Sequence, residues 1–189
     1  MSKPLLGEKI AVLVSNGFSE KDLTSTQKSL LSAGANVRVV SMDNGLVNSW
    51  NETGWGLNFA ADEALNEALA VDYSMLLVPG GQRSIDKLKL TAHTRRFVNG
   101  FLNANKPAVL LGEAVSLLTF CEKGEGMKVS SMSKYADELK EAGADIVEEP
   151  TAISGALLTS TGQADQSDKI AEEVINFFLA QSEPEAVAA

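Results

Sequence analysis

The chain contains few of the residues that most often build reactive or metal-binding sites. Its 189 residues include one cysteine, Cys121, and one histidine, His93. A single cysteine cannot form an internal disulfide or a thiolate metal cage, and with one histidine a zinc site would have to be mostly carboxylate. We therefore expect no disulfide, no metal centre and no cofactor. The lack of disulfides also suits a reducing compartment, so we expect a cytoplasmic protein.

Positive charge and long apolar segments are also scarce. There are 16 Lys and Arg residues against 25 Asp and Glu residues, which gives a net charge of −9. A chain of this charge repels phosphate backbones, so nucleic acid is not an expected partner. No apolar run approaches the roughly 20 residues that span a bilayer, and the first residues lack the apolar core of a signal peptide. We expect no membrane partner.

The chain does contain a regular alternation of strand and helix patterns. "KIAVLVS" is an apolar run typical of a buried parallel strand, and Leu23, Leu30 and Leu31 then follow at helical spacing. Gly34 ends this helix and "NVRVVSM" begins a second strand, which completes a β-α-β unit. The pattern predicts a doubly wound α/β domain, with a mostly parallel sheet and helices on both faces.

Similar patterns continue to the end of the chain. Further strands are predicted in "YSMLLVPGG", "AVLL", "ADIVEEP" and "ALLTST", and further helices in "AHTRRFVNGFLNANKP" and "DQSDKIAEEVINFFLAQ". "NGLVNSWNETGWGLNF" predicts a hairpin outside the main sheet, whose Trp50 and Trp55 either pack as a satellite core or form an interface. We expect one domain over residues 9–181, preceded by an extension, 1–8, and followed by a flexible tail, 182–189.

Ligands of doubly wound folds bind outside the carboxyl ends of the strands, where three predicted turns meet. These turns are "SNGFSEKD", "PGGQRS" and "LGEAV". In "PGGQRS", the amides of Gly80 and Gly81 can approach an anion closely, and the dipole of the following helix would assist. The alternative is an ordinary Gly-Gly turn.

The turn "LGEAV" follows a predicted strand, Ala108–Leu111, and begins an apolar helix, as does the nucleophile elbow of many α/β enzymes. Such an elbow forces one residue towards positive φ, which Gly112 adopts without steric cost. Gly112 has no side chain that can attack a substrate. Glu113, the next residue, either stabilises the start of the helix through its dipole or serves as a catalytic acid or base.

Three other kinds of residue have two possible roles each. Glu20 and Asp22 are either ordinary charges at a helix start, or carboxylates that converge with Glu113 to share a proton or hold a water. Cys121 is either a small buried apolar residue or a redox-sensing thiol, which would have to be exposed. His93 is either an exposed helix residue or a general base.

Several segments, taken in order, resemble the ThiJ/PfpI family of the class I glutamine-amidotransferase-like superfamily. The resemblance covers about residues 9–181, and its carriers are "KIAVLVSNGFSEKDL", "LLVPGG", "NANKPAVLLGEAVSLL", "GMKVSSM" and "AGADIVEEPTAISGALLTSTG". It implies a flavodoxin-like sandwich. It also implies association into a homodimer or a higher homo-oligomer.

The chain departs from this family at the catalytic positions. The resemblance implies a cysteine at the elbow, often followed by histidine, with a glutamate from the first helix beside the thiol. The matching positions are Gly112, Glu113 and Asp22, so the cysteine-dependent activities of the family are not expected here. The elbow is similar to that of the C-terminal domain of large-subunit catalases, a relative not known to need a nucleophile.

Two functional hypotheses follow from these residues. In the first, the protein is non-catalytic and either binds a small anionic or carbonyl metabolite through Gly80, Gly81, Gly112 and Glu113, or serves as an assembly module. In the second, Glu113 and Asp22 act as acid and base in a hydratase, isomerase or lyase of a small carbonyl compound.

Overall fold

The computed structural model describes residues 2–162 and 166–182. The strands are β1 Lys9–Val14, β2 Phe18–Ser19, β3 Asn36–Ser41, β4 Leu46–Trp50, β5 Trp55–Ala60, β6 Glu63–Ala64, β7 Met75–Val78, β8 Ala108–Leu111, β9 Lys128–Ser130, β10 Asp145–Val147, β11 Thr151–Ser154 and β12 Leu157–Ser160. The α-helices are α1 Glu20–Ser32, α2 Gln82–Leu88, α3 Ala92–Asn103, α4 Leu117–Phe120, α5 Ser133–Glu141 and α6 Ser167–Ser182.

A seven-stranded sheet forms the centre of the molecule, in the order β11-β12-β8-β7-β1-β3-β6. Neighbouring strands are parallel except β11 and β12, which are antiparallel. One core cluster packs α1 and α6 on one face of the sheet, and a second packs α2 to α5 on the other. Strands β7 and β8 are fully buried because helices cover both faces. The predicted flavodoxin-like, doubly wound fold is confirmed.

Several elements differ in detail from the sequence-based expectation. The predicted hairpin is β4–β5, and it joins β2 in a separate three-stranded sheet. The strand predicted in "ADIVEEP" is β10, but it pairs with β9 outside the main sheet. The helix predicted after the elbow is short. It consists of the 3-10 segment Gly112–Ser116 followed by α4, Leu117–Phe120. It ends before Glu122, Gly124 and Gly126, whose positive φ values do not continue a helix.

The residues outside the predicted domain are partly structured. Leu5 is fully buried, and its amide donates to the carbonyl of Ala33 at 2.9 Å, so the N-terminal extension packs against the end of α1. Ser182 of the predicted tail ends α6, and residues 183–189 lie outside the described residues. In the two described ranges, no helix is both long and apolar enough to cross a membrane.

Candidate functional site

The three predicted turns come together around a cavity of about 300 Å³ at the carboxyl ends of β1, β7 and β8. Its walls also include the first turn of α1, the hairpin β4–β5 and the start of α2. A larger open groove of about 720 Å³ lies between α1 and α6, away from the strand ends. Only the smaller cavity contains the residues of the elbow and the Gly-Gly turn, so it is the candidate functional site.

Gly112 forms the elbow in the predicted way. Its φ is +54°, which confirms the expected left-handed conformation. A Cβ atom at Gly112 would have its nearest neighbour, Gly80 Cα, at 3.7 Å, so the elbow has space for a side chain. Gly162 keeps this space open, because a Cβ atom there would lie 2.8 Å from Gly112 Cα. The elbow therefore has the shape of a nucleophile site without the nucleophile.

Asp22 and Glu113 converge on the turn that follows β7. Asp22 Oδ2 accepts a hydrogen bond from the amide of Gly80 at 2.9 Å, and Glu113 Oε2 accepts one from the amide of Gly81 at 2.8 Å. A Cβ atom at Gly80 would lie 2.9 Å from the Asp22 oxygen and 2.7 Å from the Glu113 oxygen, so a single methyl group would contact both. Glu113 thus faces the cavity and does more than begin a helix.

Asp22 is an unusual acid because it is buried, with 7% of its surface exposed. Burial raises the pKa of its carboxyl from the ordinary value of 3.8 to about 6. The amide of Gly80 lowers this pKa, the negative charge of Glu113 raises it further, and the hydroxyl of Ser19 lowers it slightly. A carboxyl with a pKa of about 6 can exchange a proton with a ligand near neutral pH.

The Gly80 and Gly81 amides, predicted as an anion site, both donate to carboxylates of the chain itself. An anion that used either amide would have to displace Asp22 or Glu113 and would then lie beside the other carboxylate. The charge at the bottom of the cavity therefore favours ligand groups that donate hydrogen bonds over groups that accept them.

Glu20 does not join this pair. Its Oε2 accepts hydrogen bonds from the hydroxyl of Ser49 at 2.5 Å and from the amide of Leu57 at 2.7 Å. Both contacts lower the pKa of Glu20, Ser49 more than Leu57. A Cβ atom at Gly56 would lie 1.8 Å from the same oxygen, so a side chain at this hairpin position would displace the carboxylate of Glu20. Glu20 connects α1 to the hairpin and has a structural role.

Sequence reasoning did not assign Trp50 and Arg83 to the site. The hairpin places Trp50 at the cavity, where the guanidinium of Arg83 stacks on its ring at 3.9 Å from the centroid. The stem of Arg83 packs on Gly17, since a Cβ atom there would lie 2.5 Å from Arg83 Cβ. The only signal in the sequence is that Arg83 closely follows the glycine pair in "PGGQRS".

The chain's single cysteine and single histidine lie elsewhere. Cys121 is 2% exposed at the end of α4. Burial raises the pKa of its thiol to about 12, although the positive charges of Arg95 and Lys123 lower it. The exposed thiol that redox sensing would need is therefore absent. His93 lies at the start of α3, beside a separate cavity that also contacts Thr91. Over the described ranges, no group of three or more His, Cys, Asp and Glu residues could hold a metal ion.

The buried position of Cys121 leads to a direct prediction. We expect a thiol reagent such as dithionitrobenzoate to label the folded protein slowly, at a rate set by transient opening, because the thiolate is the reactive form and is suppressed by burial. Labelling in denaturant should be fast and stoichiometric, and Cys121→Ser should abolish it. Fast labelling of the folded protein would instead favour an exposed, reactive thiol.

The sequence matches the profile of a protein family over most of its length. A profile of the DJ-1/PfpI family matches residues 8–176, nearly the whole chain. The chain therefore belongs to the DJ-1/PfpI family, in agreement with the ThiJ/PfpI resemblance of its sequence.

Individual relatives support this assignment. The chain is 24% identical to "General stress protein 18" of Bacillus subtilis over 148 residues, which cover 78% of this chain and 84% of that protein. It is 23% identical to "Protein/nucleic acid deglycase 2" of Escherichia coli, with 85% and 91% of the two chains covered. Its structure resembles a ThiJ/PfpI domain protein from Brachyspira murdochii, with a TM-score of 0.81, 21% identity, and coverage of 94% and 99%.

Proposed function

We propose that this DJ-1/PfpI family protein binds a small polar metabolite reversibly at the elbow cavity and forms no covalent bond with it. The observation that carries the proposal is an open cavity with two convergent carboxylates beside Gly112, a position where the family resemblance of the sequence implies a cysteine. A covalent mechanism of the kind that the family resemblance implies needs an activated thiol at the elbow. Glycine cannot supply one, and Cys121 is buried away from the cavity.

The polarity of the cavity limits what it can hold. Its amide donors at Gly80 and Gly81 are engaged by Asp22 and Glu113, respectively. A neutral carbonyl or hydroxyl compound therefore fits better than a simple anion, because it brings no negative charge beside the two carboxylates. A carbonyl oxygen can accept a hydrogen bond from Asp22 when that residue is protonated. A hydroxyl or amino group can donate to the ionised carboxylates.

The elbow variant Gly112→Cys tests the proposal, in a Cys121→Ser background so that a single thiol is present. We expect the variant to fold, because the elbow has space for a side chain, and the left-handed backbone should cost only about 1–2 kcal/mol. Intact-mass measurement after iodoacetamide should show one adduct on the variant and none on Cys121→Ser alone.

The same proteins should be assayed for consumption of methylglyoxal and for peptide hydrolysis. The wild type should show no activity above that of Glu113→Gln. A wild-type rate well above the Glu113→Gln rate would contradict the non-catalytic proposal, because it would require chemistry that depends on the cavity.

A second candidate function is favoured by one observation, the raised pKa of Asp22 beside Glu113. A carboxyl group with a raised pKa next to a second carboxylate is typical of acid/base catalysis, which contributes about 10²- to 10⁴-fold. A hydratase, isomerase or lyase would exchange protons next to the carbonyl group of its substrate. Deuterium exchange into small carbonyl compounds, followed by NMR and lost in both Asp22→Asn and Glu113→Gln, would establish this candidate in place of the first.

We also propose that the chain forms a homodimer or a higher homo-oligomer and acts in the cytoplasm. The support for association is the exposure of large apolar side chains on the hairpin β4–β5, namely Leu46, Trp55 and Leu57, which are 61%, 57% and 56% exposed. Apolar side chains exposed together often mark a contact between subunits. Light scattering after size-exclusion chromatography measures the oligomeric state.

A further inference from the structure

The cavity has opposite charges at its two ends. Asp22 and Glu113 lie at the bottom, next to the Gly-Gly turn, and Arg83 lies at the mouth, stacked on Trp50. Among the residues of 2–162 and 166–182, Arg83 forms no ion pair and no hydrogen bond with another side chain. Arg83 is exposed, and its guanidinium stacks on Trp50 while its hydrogen-bond donors stay available for a ligand.

The two carboxylates also keep acceptors available. Each uses one oxygen, Asp22 Oδ2 or Glu113 Oε2, to accept an amide hydrogen bond. Glu113 Oε1 accepts no hydrogen bond from the described residues, and the carboxyl of Asp22 has one further donor, the hydroxyl of Ser19. Each carboxylate still has lone pairs for a further donor. Two carboxylates close to one point repel each other, and a cationic donor between them relieves this repulsion and binds to their remaining lone pairs.

We infer that the cavity selects a small zwitterion, with its ammonium group at Asp22 and Glu113 and its carboxylate at Arg83, as in an amino acid. This inference rests on the proposed function and specifies its ligand. The volume, about 300 Å³, lies at the lower end of the range for small-molecule sites, about 300–1,000 Å³.

Ligands with other charges match only one end. A monoanion can pair with Arg83, but its other end meets the acidic bottom of the cavity without a cation. A monocation can pair with the carboxylates, but it approaches past Arg83 and leaves the guanidinium unpaired. Glu52 at the mouth does not change this balance, because it faces Lys21 at 3.8 Å on the exposed surface. Only a zwitterion pairs both ends.

Thermal-shift screening of the full chain with the standard L-amino acids is the first experiment. Each amino acid that raises the melting temperature is then compared by calorimetry with two analogues, the matching 2-hydroxy acid and the matching decarboxylated amine. Hydroxyacetone and 2-oxo acids are included as carbonyl probes. We expect either analogue to bind about tenfold more weakly than the amino acid, because each lacks one charged contact.

Two variants locate the contacts. Arg83→Ala should weaken binding of the amino acid about tenfold and leave binding of the amine unchanged or tighter. Glu113→Gln should weaken both, and should tighten binding of the 2-hydroxy acid. Lys87→Ala, on the same helix as Arg83, and Glu67→Gln, an exposed glutamate elsewhere, are the matched controls and should bind like the wild type.

The outcomes separate the ligand class from the proposed function. Binding of 2-hydroxy acids, 2-oxo acids or hydroxyacetone without binding of amino acids overturns the zwitterion inference and leaves reversible metabolite binding in place. Turnover or a covalent adduct on the wild type overturns the proposed function. Absence of binding by every compound overturns both. Since the analogue series uses the wild-type protein, it decides the inference even if a variant fails to fold.

Discussion

Asp22→Asn is expected to be more stable than the wild type at pH 7 to 8, by up to about 3 kcal/mol. Asp22 is buried, and its carboxyl has a pKa of about 6 in the folded protein, against an ordinary value of 3.8. At neutral pH the folded chain therefore holds a charge that would be better solvated in the unfolded chain. Asparagine has nearly the same shape, can accept the hydrogen bond from Gly80, and carries no charge to bury.

The sign of the pH dependence follows from this pKa. Between pH 3.8 and about 6, the folded protein binds the Asp22 proton while the unfolded chain has released it. The contribution of Asp22 to stability therefore falls as pH rises through this window, is fully unfavourable above pH 6, and vanishes below pH 3.8. Asp22→Asn removes this dependence, so the difference between variant and wild type should grow from pH 4 to pH 7.

Urea unfolding of the two proteins at several pH values measures this difference. Asp137→Asn is a suitable control, because Asp137 is an exposed aspartate on α5 and its replacement should change stability little at any pH. A variant that is less stable than the wild type at pH 7 would show that the charge of Asp22 stabilises the fold, in conflict with its described burial.

Gly81→Ala is expected to destabilise the protein by about 3–5 kcal/mol. Gly81 has φ +112° and ψ 107°, a conformation that residues with a Cβ atom rarely adopt. A Cβ atom at Gly81 would also lie 2.5 Å from the carbonyl oxygen of Gly17 and 2.8 Å from Phe18 Cα. These are backbone atoms of the turn after β1, so the turns that frame the cavity would have to separate.

The control for this variant is Gly45→Ala. Gly45 also has positive φ, +96°, but a Cβ atom there would meet no atom within 4 Å. It should lose only about 1–2 kcal/mol from backbone strain. The difference between the two variants in urea unfolding isolates the cost of the steric contact. Equal losses would show that the turns after β1 and β7 are not packed against each other as described.

The sequence alone was sufficient to predict the fold because its signals are local and strong. Burial of strands is indicated by apolar runs of strand length in β1, β7 and β8. The end of α1 is indicated by the glycine that follows it. Neither signal depends on the rest of the chain. The prediction was poorer where elements are short and half-exposed. Strand β11 and helix α5 have few apolar residues, so their periodicity is weak.

The candidate site was only partly predictable. The sequence placed Asp22 and Glu113 on the same edge of the sheet, because the carboxyl ends of parallel strands meet there. It did not determine that both carboxylates accept hydrogen bonds from Gly80 and Gly81, since that depends on side-chain positions across a turn. Arg83 and Trp50 were not assigned to the site because they lie far apart in the chain and meet only through the hairpin.

The stability expected from Asp22→Asn bears on function. A buried acid that costs stability at neutral pH persists more readily where binding or catalysis uses it. At the position of Asp22, the family resemblance of the sequence implies a glutamate beside a thiol. The pair of Asp22 and Glu113 thus gives the cavity a proton and two acceptors, although the elbow has only Gly112.

Asp22 and Glu113 form an interacting, partly buried pair at the bottom of an open cavity, and the proposed function depends on this pair. The most direct test is a ¹³C NMR titration of the Asp22 side-chain carboxyl in the wild type and in Glu113→Gln. We expect a pKa of about 6 in the wild type and a lower value in the variant, because the neighbouring negative charge has been removed. A wild-type pKa near 3.8 that does not change in Glu113→Gln would contradict it.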